Sequence, residues 1–294
     1  MSRRANLLSP WLRLVERPTL SRLANAPVER LRRRFALQAK LYFRPPRGTR
    51  ITETTLAGLR ALEIGPESRT RLLYLHGGAY GIGSPETHCG LVGRMTARTG
   101  LRAVVPDYPL APEHPFPAAP EAVFQLYREI SKDGPVILMG DSAGGGLALA
   151  LLGMICAAGL MQPVASLVLS PWTDLTLSGE SIETNGPRDV VLPRNQIAVA
   201  RDGYLGPADP TDPRASPLFA DFSGAGPVHV WVGSTEILRD DSRRIVERLV
   251  SQGVDAYLTE EHDLPHVWPL FPGWLLPEAE ETLDQMAEVV AALA

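Results

Sequence analysis

Five consecutive residues, Gly140-Asp141-Ser142-Ala143-Gly144, hold the clearest chemistry in this 294-residue chain. An apolar run, Val136 to Met139, leads into them, and a long stretch of small and apolar residues follows. The serine is therefore expected on a sharp turn from a strand into a helix that runs from Gly145 onward. Such a turn strains the backbone at the serine, and glycines on both sides remove the side chains that would collide there. The hydroxyl then sits at a helix N-terminus, where free N–H groups and the positive dipole end favour an anion. A serine so placed is a nucleophile for acyl transfer once a base takes its proton and an acid orients that base.

Six histidines are available as the base. His88 and His114 precede the serine, His229 lies inside an apolar run, and structural roles suit all three. His262 and His266 both follow the last expected strand, and His266 is preferred because Pro265 before it and Val267-Trp268 after it suit a shaped loop. The acid should follow the run Val228 to Val232, where Glu236, Asp240 and Asp241 are on offer. Glu236 comes first past the strand and is assigned; Asp240 and Asp241 stand where they could instead cap a helix or complement its dipole, and both stay open as alternatives.

A tetrahedral oxyanion also needs several N–H donors aimed at one point, with no side chain filling that point. His76-Gly77-Gly78-Ala79, just after the run Leu72 to Leu75, supplies such backbone. The N–H groups of Gly77, Gly78, Ala79 and Ala143 form the expected hole; Ala79 keeps its N–H and adds one methyl. His76, Asp141 and Asp241 are the supporting residues, His76 by a local hydrogen bond that holds the loop. The histidines and carboxylates lack the paired spacing of common zinc motifs, so neither metal nor cofactor is expected.

The elements that must position these groups alternate. Strands are expected at Leu72–Leu75, Ala103–Val105, Val136–Met139, Leu167–Leu169, Val228–Val232 and Ala256–Leu258, with helices at Ala119–Ser131 and Asp241–Gln252 among those between them. That alternation implies an α/β fold, a mostly parallel sheet covered by helices on both faces. Apolar residues at three- and four-residue steps place a helix over Pro27–Phe43. Residues 178–220 break the rhythm with six prolines and are expected to be an insertion, with a helix at Pro193–Tyr204, packing beside the N-terminal helices as a cap. The expected organisation is N-terminal cap helices at 1–45 and a catalytic domain at 46–294. Ala143–Met161 has no charged side chain, but its Gly and Ala content and its start inside the serine motif fit a buried helix rather than a membrane span.

With these residues in place, the sequence resembles the hormone-sensitive-lipase-like group of α/β-hydrolases, the bacterial family IV esterases. The resemblance spans about residues 70–275. Besides His76-Gly-Gly-Ala-Tyr80 and the serine motif, it rests on Asp107-Tyr-Pro-Leu-Ala-Pro-Glu-His-Pro-Phe-Pro-Ala-Ala119, Ser170-Pro-Trp-Thr-Asp174, Asp212-Pro-Arg-Ala-Ser-Pro-Leu218, Glu236-Ile-Leu-Arg-Asp-Asp241 and Leu264-Pro-His266. It implies an eight-stranded α/β-hydrolase sheet with a helical cap, hydrolysis of short-chain carboxylic esters without a cofactor, and a serine, acid and base at Ser142, Glu236 and His266. Two departures stand out: Ala79 replaces the family's third glycine, and Glu236 stands where the family more often has aspartate.

Charge is unevenly spread. Residues 1–50 hold thirteen Lys and Arg against two acids in a chain whose net charge is −4, so the body is strongly acidic. Because the arginines mingle with Trp11, Leu14, Leu31 and Phe35, amphipathic helices docked on that body are expected, rather than an arm for nucleic acid or membrane. The expected partner is a small-molecule ester, with no nucleic acid, no integral membrane segment, and a homodimer as the protein partner to consider. Two cysteines and no signal-like apolar run suit the cytoplasm. The competing functions are an amide deacetylase or lactonase of the same fold, and a non-catalytic small-molecule receptor, which would be expected to lose the base.

Overall fold

The computed structural model describes residues 8, 10–18 and 26–293. Its centre is strand β5 (Val136–Asp141), every residue of which is buried. A strand covered on both faces reads as an unbroken apolar run, as Val136 to Met139 does. Around it lie β1 (Ile51–Leu56), β2 (Leu59–Ile64), β3 (Arg71–Leu75), β4 (Arg102–Pro106), β6 (Ser166–Leu169), β7 (Val228–Gly233) and β8 (Ala256–Glu261), in the order β1-β2-β4-β3-β5-β6-β7-β8. The pairs β1–β2 and β2–β4 are antiparallel and all others parallel.

The fold is the expected α/β one, and the six expected strands are present. The first two strands escape the sequence reading. Their turn is Ala57-Gly58, with both residues at positive φ (49° and 77°). That is the backbone a two-residue hairpin wants, but it carries none of the Asn-Gly or Asp-Gly signal that advertises it. Strand β1, Ile-Thr-Glu-Thr-Thr-Leu, is an exposed edge with little apolar alternation.

Two apolar layers close the sheet. On one face α3 (Ala118–Ile130), α4 (Ser142–Ala157) and α7 (Arg239–Ser251) pack down; on the other, α2 (Pro85–Thr99) and α8 (Pro277–Leu293). Helix α4 begins at Ser142 itself, three residues earlier than the sequence suggests, because Gly144 and Gly145 sit inside its first turn as tight-packing residues rather than as a connecting loop. It is buried almost all round and ends at Ala157, and among the described residues no helix is long and apolar enough to cross a membrane. Cys89 is buried and Cys156 half-buried, and both are free.

Helix α1 (Val28–Tyr42), α5 (Ser181–Thr184), α6 (Arg194–Leu205) and a short π-helical turn at Leu12–Glu16 cover the C-terminal side of the sheet. The basic arm is pinned to the body. Arg17 donates to Gly186 O at 2.5 Å, and Arg32 donates to Gly81 O and Ala111 O, each at 2.9 Å, and to both oxygens of Glu113 at 2.7 Å. The rest of the expected N-terminal helices, residues 1–7, 9 and 19–25, lies outside the described residues.

Candidate active site

The turn between β5 and α4 is set by steric exclusion. Ser142 has φ 53°, a left-handed value that costs a serine energy. A Cβ on Gly144 would stand 2.1 Å from Leu75 O, and one on Gly140 2.4 Å from Gly144 O, so neither position admits a side chain. Their bareness lets the turn press against the end of β3, and the serine is left facing the cavity above.

His266 meets that serine. Its Nε2 lies 2.9 Å from Ser142 Oγ, while its Nδ1 lies 2.6 Å from Glu236 Oε2. The remaining oxygen of Glu236, Oε1, accepts the Gly233 N–H at 2.6 Å and the Ser170 hydroxyl at 2.8 Å. Glu236 is 1% and His266 8% exposed. The extra methylene of glutamate is accommodated because the side chain folds back over its own turn onto Gly233, at the end of β7. Burial alone would depress the imidazole; the charge and hydrogen bond of Glu236 outweigh it, with Asp189 and Asp141 adding, and hold His266 above its ordinary value of 6.5.

The alternatives stand elsewhere. His262 is exposed beside Asp263. Asp240 accepts the Ser181 N–H at 2.8 Å, and Asp241 accepts the N–H groups of Thr173 and Asp174 at 2.8 and 2.9 Å. Neither reaches the imidazole, and neither makes a capping hydrogen bond to α7. Asp241 supports the site at one remove, by bracing the loop that follows β6. Its burial, with Asp174 nearby, pushes its carboxyl up to about 7.

One oxyanion assignment needs correction. The Gly77 N–H donates to Asp141 Oδ1 at 2.8 Å, so it is spent inside the scaffold and is no donor to substrate. The reason is close packing: a Cβ on Gly77 would lie 2.2 Å from Asp141 Oδ2. The N–H groups of Gly78 and Ala79 carry no hydrogen bond among the described residues. That of Ala143 belongs to the first turn of α4, where intrahelical partners do not exist. Ala79 and Tyr80 both have positive φ (52° and 59°), so the methyl of Ala79 is tolerated in a conformation that glycine would adopt freely.

The loop is held from beneath. Tyr108 donates its hydroxyl to His76 O at 2.6 Å, and the His76 ring stacks on Tyr108 at 4.3 Å and on His88 at 5.5 Å. His76 bonds locally through Nδ1 to Gly77 O at 2.9 Å, as expected. Burial, then His88, lowers it to about 3, so it is a neutral brace. Asp141 also accepts from Tyr74 at 2.6 Å and faces His88 Nε2 at 3.4 Å; burial would raise its pKa, yet His88 and these bonds keep it below the ordinary carboxylate value.

Above the serine opens a cavity of about 1140 Å³. Its wall is chiefly apolar and comes from three places: the N-terminal arm (Leu12, Phe35), the 178–220 insertion (Leu192, Ile197) and the loop after His266 (Phe271, Trp274). Tyr204 of α6 stacks on Tyr80 of the loop after β3 at 3.8 Å, joining the 178–220 segment to that loop.

Ser170, Tyr108, Asn185 and Asp189 are the contributors that sequence reading missed. Ser170 follows β6, and Tyr108 follows β4 by two residues, so their position at strand ends was a usable signal. Asn185 and Asp189 carried none.

Known proteins bear on this geometry. The alpha/beta hydrolase fold family matches residues 72–270. The chain is similar to an esterase of Acinetobacter venetianus, 36% identical over 98% of this chain and 95% of that one, and to an acetyl-hydrolase of Streptomyces hygroscopicus, 36% identical over 72% of each. Among solved structures it resembles an esterase of the bacterial hormone-sensitive lipase family, with a TM-score of 0.90 and 33% identity over 99% of this chain and 98% of that one.

Proposed function

This chain belongs to the hormone-sensitive-lipase-like esterases of the α/β-hydrolase fold and is a carboxylic ester hydrolase, and on that premise we propose that it is a serine carboxylesterase for short- to medium-chain esters, working through an acyl-enzyme on Ser142. The observation that carries the reading is the unbroken line from Ser142 Oγ through His266 to Glu236, at 2.9 and 2.6 Å. In this reading Ser142 attacks the ester carbonyl as His266 takes its proton, Glu236 steadies the imidazolium, and the N–H groups of Gly78, Ala79 and Ala143 receive the oxyanion. His266 returns the proton to the leaving alcohol. Water, deprotonated by the same imidazole, then releases the acid and frees the serine.

The apolar cavity, slightly above the volume usual for small-molecule sites, suits acyl chains of several carbons. The described part of residues 1–45 and the segment 178–220 act as its cap. Two free thiols suit a cytoplasmic setting.

The test joins two measurements. An organophosphate should label the peptide that contains Ser142, and a series of nitrophenyl esters from acetate to palmitate should peak between butyrate and octanoate. Ser142→Ala should fold normally and lose turnover by about a millionfold. A label on another residue, or an Ala variant with near-normal turnover, would overturn the assignment; a peak at palmitate would overturn the substrate range.

A further inference from the structure

The turn that carries Glu236 is gripped from its far side by the insertion. Asn185 donates its side-chain amide to Ser234 O at 3.1 Å and to Glu236 O at 2.9 Å. Asp189 accepts the N–H of Ile237, the residue next to Glu236, on Oδ2 at 2.9 Å. Its other oxygen accepts the N–H groups of Val191 and Leu192, both at 2.9 Å, and both of these residues line the cavity. Ser181 completes the grip by donating its hydroxyl to Ile237 O at 2.6 Å. Asn185 and Asp189 are each only 2% exposed.

Burying polar side chains this deeply is costly unless every bond is made. Here the bonds converge on three backbone residues whose single exceptional feature is the acid that orients the base. Asp189 joins that turn to the wall of the cavity through one carboxylate; burial pushes its pKa up while the nearby His266 pulls it down, so its charge is coupled to that of the imidazole.

We propose that Asp189 and Asn185 are positioning residues for the base of the reaction: the insertion covers the cavity and also sets where Glu236 stands and, through Asp189, the charge that His266 experiences. The inference rests on the reading of Glu236 as the orienting acid. Asp189 supports catalysis in two separable ways, by geometry and by charge, whereas Asn185 supports it by geometry alone. Three carboxylates bear on the charge of the imidazole: Glu236, which touches Nδ1, and Asp189 and Asp141 at longer range. The negative charge of Asp189 favours the imidazolium, so removing it lets the base stay neutral at lower pH.

Two variants separate these effects, with kcat expressed per serine labelled to completion by an organophosphate, so that misfolded protein is not counted. In Asp189→Asn the amide can accept through one of its two ends only, so either the Ile237 contact or the pair of contacts to Val191 and Leu192 is broken, and the charge is removed. It should lower kcat about 10- to 100-fold, leave KM within a factor of about three, and move the acid limb of kcat/KM down by about half a pH unit or more. Asn185→Ala should lower kcat over the same range with the limb unmoved. Per-serine kcat near the wild-type value in both variants would overturn the proposal, and so would a limb that fails to move in Asp189→Asn. If Ser142→Ala is dead while both clasp variants run normally, only the clasp is wrong; if Ser142→Ala is active, the reading beneath it fails.

Discussion

The turn that carries Ser142 and the turn that carries Glu236 reach the same imidazole by opposite means. Around Ser142 the backbone is fixed by what is missing: glycines whose Cβ atoms would collide with Leu75 O and with the turn itself. Around Glu236 it is fixed by what is added, hydrogen bonds made with Ser170, Ser181, Asn185 and Asp189, 48 to 66 residues distant in sequence. The glycines that make exclusion possible are neighbours of the serine, although the atom one of them presses on, Leu75 O, belongs to another strand. Bonding is distant, and each contact can be removed singly.

Breaking the bonded side should have the largest effect. Glu236→Gln keeps the side chain's shape and removes its charge, and a comparable loss of the orienting acid elsewhere costs about ten-thousandfold in kcat. Asp240→Asn and Asp241→Asn should each stay within about tenfold, since both brace backbone and neither touches the imidazole. Turnover assays on the three variants decide it: a larger loss in either Asp variant than in Glu236→Gln would reverse the roles.

A pH profile sharpens the same contrast by a smaller amount. Only neutral His266 can accept the serine proton, so kcat/KM should rise tenfold per pH unit and level off at a midpoint above 6.5, the direction in which Glu236 moves the imidazole. The sign for stability is opposite: the fold favours the protonated ring, so this contribution is complete below the unfolded value and fades as pH rises through the folded one. A midpoint below 6.5 in the native enzyme would contradict the geometry at Nδ1.

The smallest effect belongs to the loop after β3, against which the serine turn packs. Ala79→Gly removes a methyl from a left-handed residue proposed to donate its N–H to the oxyanion, so stability should rise by about 1 kcal/mol, reported by thermal unfolding, with kcat changed less than about threefold. A loss of a hundredfold would mean that the methyl shapes the substrate's position.

This difference explains what the sequence could disclose. The serine turn announced itself because its constraint is written in adjacent residues, two glycines, a strand before and a buried helix after. His266 and Glu236 were assigned by their place after strands, one step of inference further, and the fold brings the two side chains together. Gly77 misled for a physical reason: its amide direction depends on Asp141, 64 residues away, and no spacing rule reveals which way a peptide plane turns. Asn185 and Asp189 were illegible, since a short polar side chain in a proline-rich segment looks the same whether it faces water or grips a turn. Strands β1 and β2 stayed hidden because an exposed polar edge and an Ala-Gly hairpin carry little of the apolar alternation that reveals strands.

Val267, directly after the base, holds φ at 49°, a region that branched side chains avoid, and its N–H rests on Ser170 Oγ at 3.2 Å. A designer seeking heat tolerance would be drawn to relax this residue to glycine or asparagine. That relief would also loosen the hinge on which the imidazole hangs, so durability and speed are set against each other at one peptide unit. The place to look for robustness in this enzyme is away from it, on the arginine-studded exterior where the amino-terminal arm meets the body.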